Sequence, residues 1–112
     1  MSTANDLADK QCKSCEGGVP PLTGAEENIL FQQIQGWQLP SKLISNTSAF
    51  KNHYQPMAYV NAVAWVSHRE DHHPDMVVGY NQCIVSYTTH AVGGLSENDF
   101  ICAAKIDKLF TI

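Results

Sequence analysis

The chain has 112 residues, enough for one modest core and too few for separate cofactor and substrate domains. Its 44% hydrophobic and 16% charged residues describe a globular rather than a disordered polymer. Seven Lys+Arg against eleven Asp+Glu give a net charge of −4 with no basic run, which argues against nucleic acid as a direct partner.

The first fifteen residues, MSTANDLADKQCKSC, are polar and hold no apolar run of signal-peptide length. No stretch approaches the ~18 apolar residues of a membrane span, so a cytoplasmic protein without membrane contact is expected. Residues 1–21 are expected to form a flexible leader that ends in a Gly/Pro cluster, ahead of a single domain over 22–112. Cys12 and Cys15 form a CxxC pair in that leader. No further zinc ligands stand at compatible spacing, and no strand–helix context marks a redox site, so a bland or weakly metal-binding tail is the simpler reading. Cys83 and Cys102 fall in apolar-patterned segments and are expected as small, reduced core residues.

Thr23-Gly24-Ala25-Glu26 fits a capping box and opens a first helix of about a dozen residues. Ile29, Leu30, Phe31 and Ile34 supply its apolar stripe, and Gly36 is its expected left-handed stop. Trp37 to Leu39 and Leu43 to Lys51 read as extended, separated by Pro40-Ser41-Lys42. Pro56 suits the first turn of a second helix. Tyr59, Val63 and Val66, with Val60, Ala62 and Trp65, form its apolar face, and Pro74 ends it near His73. Gln82 to Thr89 alternates as a strand, with Cys83, Val85, Tyr87 and Thr89 on one face. After the Gly93-Gly94 break, Ser96 caps a last helix with Asp99 near its positive end, and Phe100, Ala103, Ile106 and Phe110 form the buried side. This order implies an α+β fold, an antiparallel sheet of about four strands with helices packed on one face.

Four of the five histidines fall between His68 and His90. Imidazole titrates near neutrality, so histidines at helix and strand ends suit general acid–base work on rigid edges. His72 and His73 are expected at a helix end and His90 at a strand end. His68 and His72 stand at i, i+4 and His90 can complete a set, so a histidine metal site stays open, although the segment HREDH is not HExxH. No nucleophile elbow, Walker loop or GxGxxG is present, which points to proton transfer or elimination without a covalent intermediate.

The spaced set His68-x3-His72-His73-Pro74, five residues, Tyr80, nine residues, His90, eight residues, Asp99 resembles the signature of pterin-4a-carbinolamine dehydratases. Thr88-Thr89-His90 and Gly93-Gly94-Leu95-Ser96-Glu97-Asn98-Asp99 are similar to that family as well. The similarity covers about residues 56–110, reaches more loosely back to the first helix, and includes a Cys-containing leader like that of bacterial members. The resemblance implies a four-stranded α+β fold and assembly into homodimers or homotetramers. It implies loss of water from 4a-hydroxytetrahydrobiopterin to give quinonoid dihydropterin, in recycling of the tetrahydropterin used by aromatic amino acid hydroxylases. No metal or organic cofactor is implied. The family's catalytic histidines fall on His72, His73 and His90, and its substrate-lining positions on Asp71, Thr88, Thr89 and Asp99. His68 departs from the acidic residue common at its position, and Glu70 is expected to face elsewhere on the helix. A protein-binding role is the alternative from another class, since some members act as dimerisation partners of a transcription factor.

Overall fold

The computed structural model describes residues 7–13 and 20–109. The elements run α1 (Gly24–Phe31), β1 (Ile44–Ala49), α2 (Tyr54–Glu70), β2 (Asp75–Val78), β3 (Gln82–Tyr87), a 3-10 turn (His90–Val92) and α3 (Glu97–Leu109). The sheet is antiparallel throughout, in the order β1-β3-β2.

Register explains why one face of this sheet is buried. Ile44 pairs with Tyr87 and Asn46 with Val85, while Met76 lies across Val85 from the other side. These side chains point together into the core, whereas Ser45, Thr47 and Ser86 alternate to the outer face. The helices cover the inner face. α3 is enclosed almost all round over its first turns: Phe100, Ile101, Cys102, Ala103, Ala104 and Ile106 are buried. Each large side chain among them contributes about 1.5–3 kcal/mol by leaving water. α2 buries Tyr59, Val63 and Ser67 against the sheet and α3, and leaves Trp65 in solvent.

Among the described residues the sheet has three strands rather than about four. Gln38, expected in an extended segment, makes only an isolated bridge to Ser45, because Pro40 and the bends after it carry the chain away after one residue pair. The strand Asp75–Val78 has no counterpart among the expected extended segments; it is too short to show alternation and is extended by pairing with β3. The first helix closes its capping box at Thr23 and Glu26 as expected but spans only 8 residues, Gly24–Phe31. Gly36 is left-handed (φ 79°), yet it ends the turns that follow the helix, not the helix itself. Ile29, expected on the apolar stripe, is exposed, while Ile34 beyond the helix is buried.

The leader is docked where it is described. Leu7 and Ala8 belong to the core, Lys105 Nζ donates to the Ala8 carbonyl, and Cys12 packs against the core from its edge. Cys15 and Phe110 lie outside the described residues. No helix among those described is long and apolar enough to cross a membrane.

Candidate active site

α2 does not run on to His73. It ends at Glu70, and Asp71 adopts the left-handed conformation (φ 52°). The Asp71 N–H then donates to the His68 carbonyl and the His72 N–H to the Ser67 carbonyl, at 3.3 and 3.1 Å. This is the double hydrogen bond of a Schellman closure, made here on an aspartate where glycine is usual. A left-handed non-glycine residue costs on the order of 1 kcal/mol, a strain that folded proteins retain chiefly at working sites. His72 and His73 therefore sit beyond the helix, and the side chains around them, more than the helix dipole, fix their environment.

The closure turns His72 into the protein. Its Nε2 lies 2.5 Å from Asp99 Oδ1, with the side chains 11% and 0% exposed. The ring stacks on Tyr87 at 5.7 Å with an interplanar angle of 7°. Tyr87 is fixed in turn by a 2.8 Å hydrogen bond between its hydroxyl and Ser67, and burial pushes its phenol pKa up. Asp99 Oδ2 accepts from the Thr89 hydroxyl at 2.8 Å and from the Ser96 N–H at 2.9 Å. Thr89 gives its only proton to that carboxylate, so the Ser96 hydroxyl, 2.7 Å from it, is the donor of their mutual bond. Three donors thus converge on two carboxylate oxygens. A carboxylate that already accepts two donors can only accept a third, so the hydrogen between Asp99 and His72 belongs on Nε2, and Nδ1 is the ring nitrogen left for other partners.

A cavity of about 640 Å³ opens beside this network, within the usual range for small-molecule sites. His72, His73 and His90 all line it, as do Asp71, Thr88 and Thr89. His73 is 68% exposed and its Nε2 is 3.6 Å from Asp71 Oδ1. His90, also exposed, begins the 3-10 turn that the Thr89–Gly94 bridge closes off. The Thr88 hydroxyl donates to the Lys42 carbonyl at 2.6 Å. Asp99, expected to line the substrate site, is the deepest of these residues and is not part of the lining; it meets the cavity by way of its bond to His72.

Other expectations change. His68 is exposed, lies beside Trp65 and is not part of the lining. Among the described residues no three His, Cys, Asp or Glu side chains gather into a metal-holding group, so the set His68, His72 and His90 is not assembled. Tyr80, part of the spaced motif, stacks on His53 away from the cavity. Glu70, expected to face elsewhere, lines the cavity and accepts the Cys12 N–H at 2.8 Å. Cys12, Lys13 and Asn98 also reach the lining, by contacts across more than fifty residues of sequence that no local pattern reveals. Hydrogen bonding to Cys102 and burial push the Cys12 thiol pKa well up, so it stays protonated.

A family model described as pterin 4 alpha carbinolamine dehydratase matches residues 20–109. The chain belongs to that family. A Nitrosomonas eutropha protein with the provisional name pterin-4-alpha-carbinolamine dehydratase is 71% identical over 110 residues, covering 97% of each chain. Among solved structures, a Brucella melitensis protein described as a transcriptional coactivator/pterin dehydratase aligns with TM-score 0.74 and 27% identity, over 80% of this chain and 97% of that one. A pterin dehydratase-like protein described as a RuBisCO assembly factor in the alpha-carboxysome shares the fold at TM-score 0.57 and 23% identity, over 67% and 89% of the two chains. Membership in the pterin carbinolamine dehydratase family agrees with the α+β architecture, and it extends over the first helix as well as the histidine motif.

Proposed function

We propose that this chain eliminates water from 4a-hydroxytetrahydrobiopterin, giving quinonoid dihydropterin by histidine acid–base catalysis. The observation that carries this reading is the buried Asp99–His72 pair placed at a cavity that two further histidines share. In the reaction the C4a–O bond breaks with its electron pair, and the leaving hydroxide takes a proton from an acid. N5–H gives its proton to a base, and the electrons left on N5 form the C4a=N5 double bond. Charge develops at the two atoms bonded to C4a, the leaving oxygen and N5, so two positioned proton carriers suffice, each worth about 10²–10⁴-fold.

His72 is assigned as the base at N5. Its Nε2–H is committed to Asp99, Nδ1 holds the lone pair, and the buried carboxylate stabilises the imidazolium that forms. His90, exposed to water at the cavity, is assigned as the acid that protonates the hydroxyl and recovers its proton from solvent. His73 orients the pterin with Asp71 and Thr88 along the same lining. The reaction recycles tetrahydropterin for an aromatic amino acid hydroxylase, the metabolic client of this reading.

The edge strand β2 supports assembly of identical chains, since Val77 and Val78 are 64% and 43% exposed on a strand with one side unpaired among the described residues. Light scattering after gel filtration tests it: a dimer or tetramer supports assembly, and a monomer at micromolar concentration contradicts it. The enzymatic reading is tested by generating the 4a-hydroxypterin with a hydroxylase and following its ultraviolet decay. Acceleration over buffer is expected; decay at the buffer rate with micromolar protein present would sink the reading.

A further inference from the structure

Cys12 and Lys13 line the cavity, and side chains rather than secondary structure hold their backbone there. Asn98, 7% exposed at the start of α3, directs both of its polar atoms at Lys13. Its Oδ1 accepts the Lys13 N–H at 3.0 Å, and its Nδ2 donates to the Lys13 carbonyl at 2.6 Å. Glu70 Oε1 accepts the neighbouring Cys12 N–H at 2.8 Å. Cys12 Sγ is 3.7 Å from Cys102 Sγ and 3.6 Å from the Asn98 carbonyl oxygen. Leu7 and Ala8 anchor the upstream end in the core.

A buried amide loses free energy if its donor or acceptor is unmet. Asn98 satisfies both with one residue that lies 85 positions away in sequence. Packing alone asks for no such match; an apolar side chain would fill the space. The clamp acts where the described part of the segment reaches the cavity, and it presents Lys13 at the lining. The Lys13 ammonium is a donor with no acceptor capacity. It complements the carbonyl, ring-nitrogen and side-chain hydroxyl acceptors of a pterin.

We propose that Cys12–Lys13 is a substrate-recognition strap, with Asn98 and Glu70 as its positioning residues. The strap contacts the bound pterin and sets its affinity, while proton transfer stays with the histidines. The inference rests on the dehydratase reading of the cavity, and its test separates the two.

Amide hydrogen exchange is measured on the intact protein with and without saturating 7,8-dihydrobiopterin, which has the pterin ring but no 4a-hydroxyl to lose. The Cys12 and Lys13 amides are expected to exchange about tenfold more slowly with ligand bound. Unchanged exchange at those two amides overturns the proposal. Asn98→Ala is expected to speed their exchange without ligand, and to raise KM about tenfold with kcat kept within about twofold. A released strap with unchanged KM, or kcat lost at unchanged KM, overturns it. Lys13→Ala keeps the backbone clamp and serves if Asn98→Ala does not fold: raised KM at retained kcat supports the strap, and unchanged constants contradict it. Turnover by the intact protein with strap amides indifferent to ligand refutes the strap alone. Ligand-slowed strap amides without turnover refute the dehydratase reading alone.

Discussion

The two histidines of the His72-His73 pair are neighbours in sequence and opposites in environment. His72 is 11% exposed, stacked on Tyr87 and held by a buried carboxylate; His73 is 68% exposed, and its Nε2 lies 3.6 Å from an exposed Asp71. The difference arises in one backbone step. The left-handed Asp71 ends α2 and directs the next side chain inward, and the extended residue before Pro74 then points the other way. A cavity wall built this way has one imidazole fixed by several contacts and a neighbouring one left largely in solvent.

The strongest way to break this contrast is to delete each ring. His72→Ala is expected to lower kcat by at least ~100-fold with the fold intact, and His90→Ala by a similar factor. His73→Ala should cost less than ~10-fold and act mainly on KM. Equal losses at His72 and His73 would show that the buried anchoring is irrelevant to turnover. Circular dichroism of each variant checks that the fold survives.

Asp99→Asn sharpens the same point at nearly constant volume. One oxygen must become an NH2 group facing either the His72 N–H or the two donors from Thr89 and Ser96. A fall in kcat of about 10- to 100-fold is expected from the wrong histidine tautomer, measured with the same assay. Turnover at the native rate would leave Tyr87 stacking as the sole support of His72. Thr89→Val, which withdraws one donor from the carboxylate, should cost a smaller factor, on the order of tenfold.

The smallest effects concern stability. Tyr87→Phe keeps the ring stacked on His72 and removes the hydroxyl bond to Ser67, for an expected loss of about 1 kcal/mol in denaturant unfolding and little change in turnover. Asp71→Gly relieves the left-handed strain but loosens the unfolded chain, so unfolding free energy should change by less than about 1 kcal/mol. Asp71→Val, with a branched side chain in that conformation, should destabilise by more than ~1 kcal/mol. Equal stability of the glycine and valine variants would mean that the closure is not strained.

Much of this architecture was legible before any coordinates. The capping box at Thr23 and Glu26 and the alternation from Cys83 to Tyr87 are local patterns, and each appears where its period places it. Phe100, Ala103 and Ile106 of α3 are buried as expected, but Ile101, Cys102 and Ala104 on its other sides are buried with them. The cavity histidines were marked by their spacing, and Thr89 and Asp99 by the same motif. What the sequence hid is tertiary. The strand Asp75–Val78 is extended only because β3 lies beside it. Leu7 enters the core although the residues around it look like a tail. Glu70 and Asn98 reach the cavity by meeting Cys12 and Lys13, partners that share no local pattern with them. His68 shows the converse: its spacing suggested a ligand, but the helix turns it to solvent.

The central claim is that the anchored histidine drives a pterin dehydration. The most direct test is the ultraviolet decay of 4a-hydroxytetrahydrobiopterin at neutral pH with equal amounts of intact protein, His72→Ala and His73→Ala. The account predicts rapid decay with intact protein, decay close to the buffer rate with His72→Ala, and most of the native rate with His73→Ala. Decay as fast with His72→Ala as with the intact protein would contradict it.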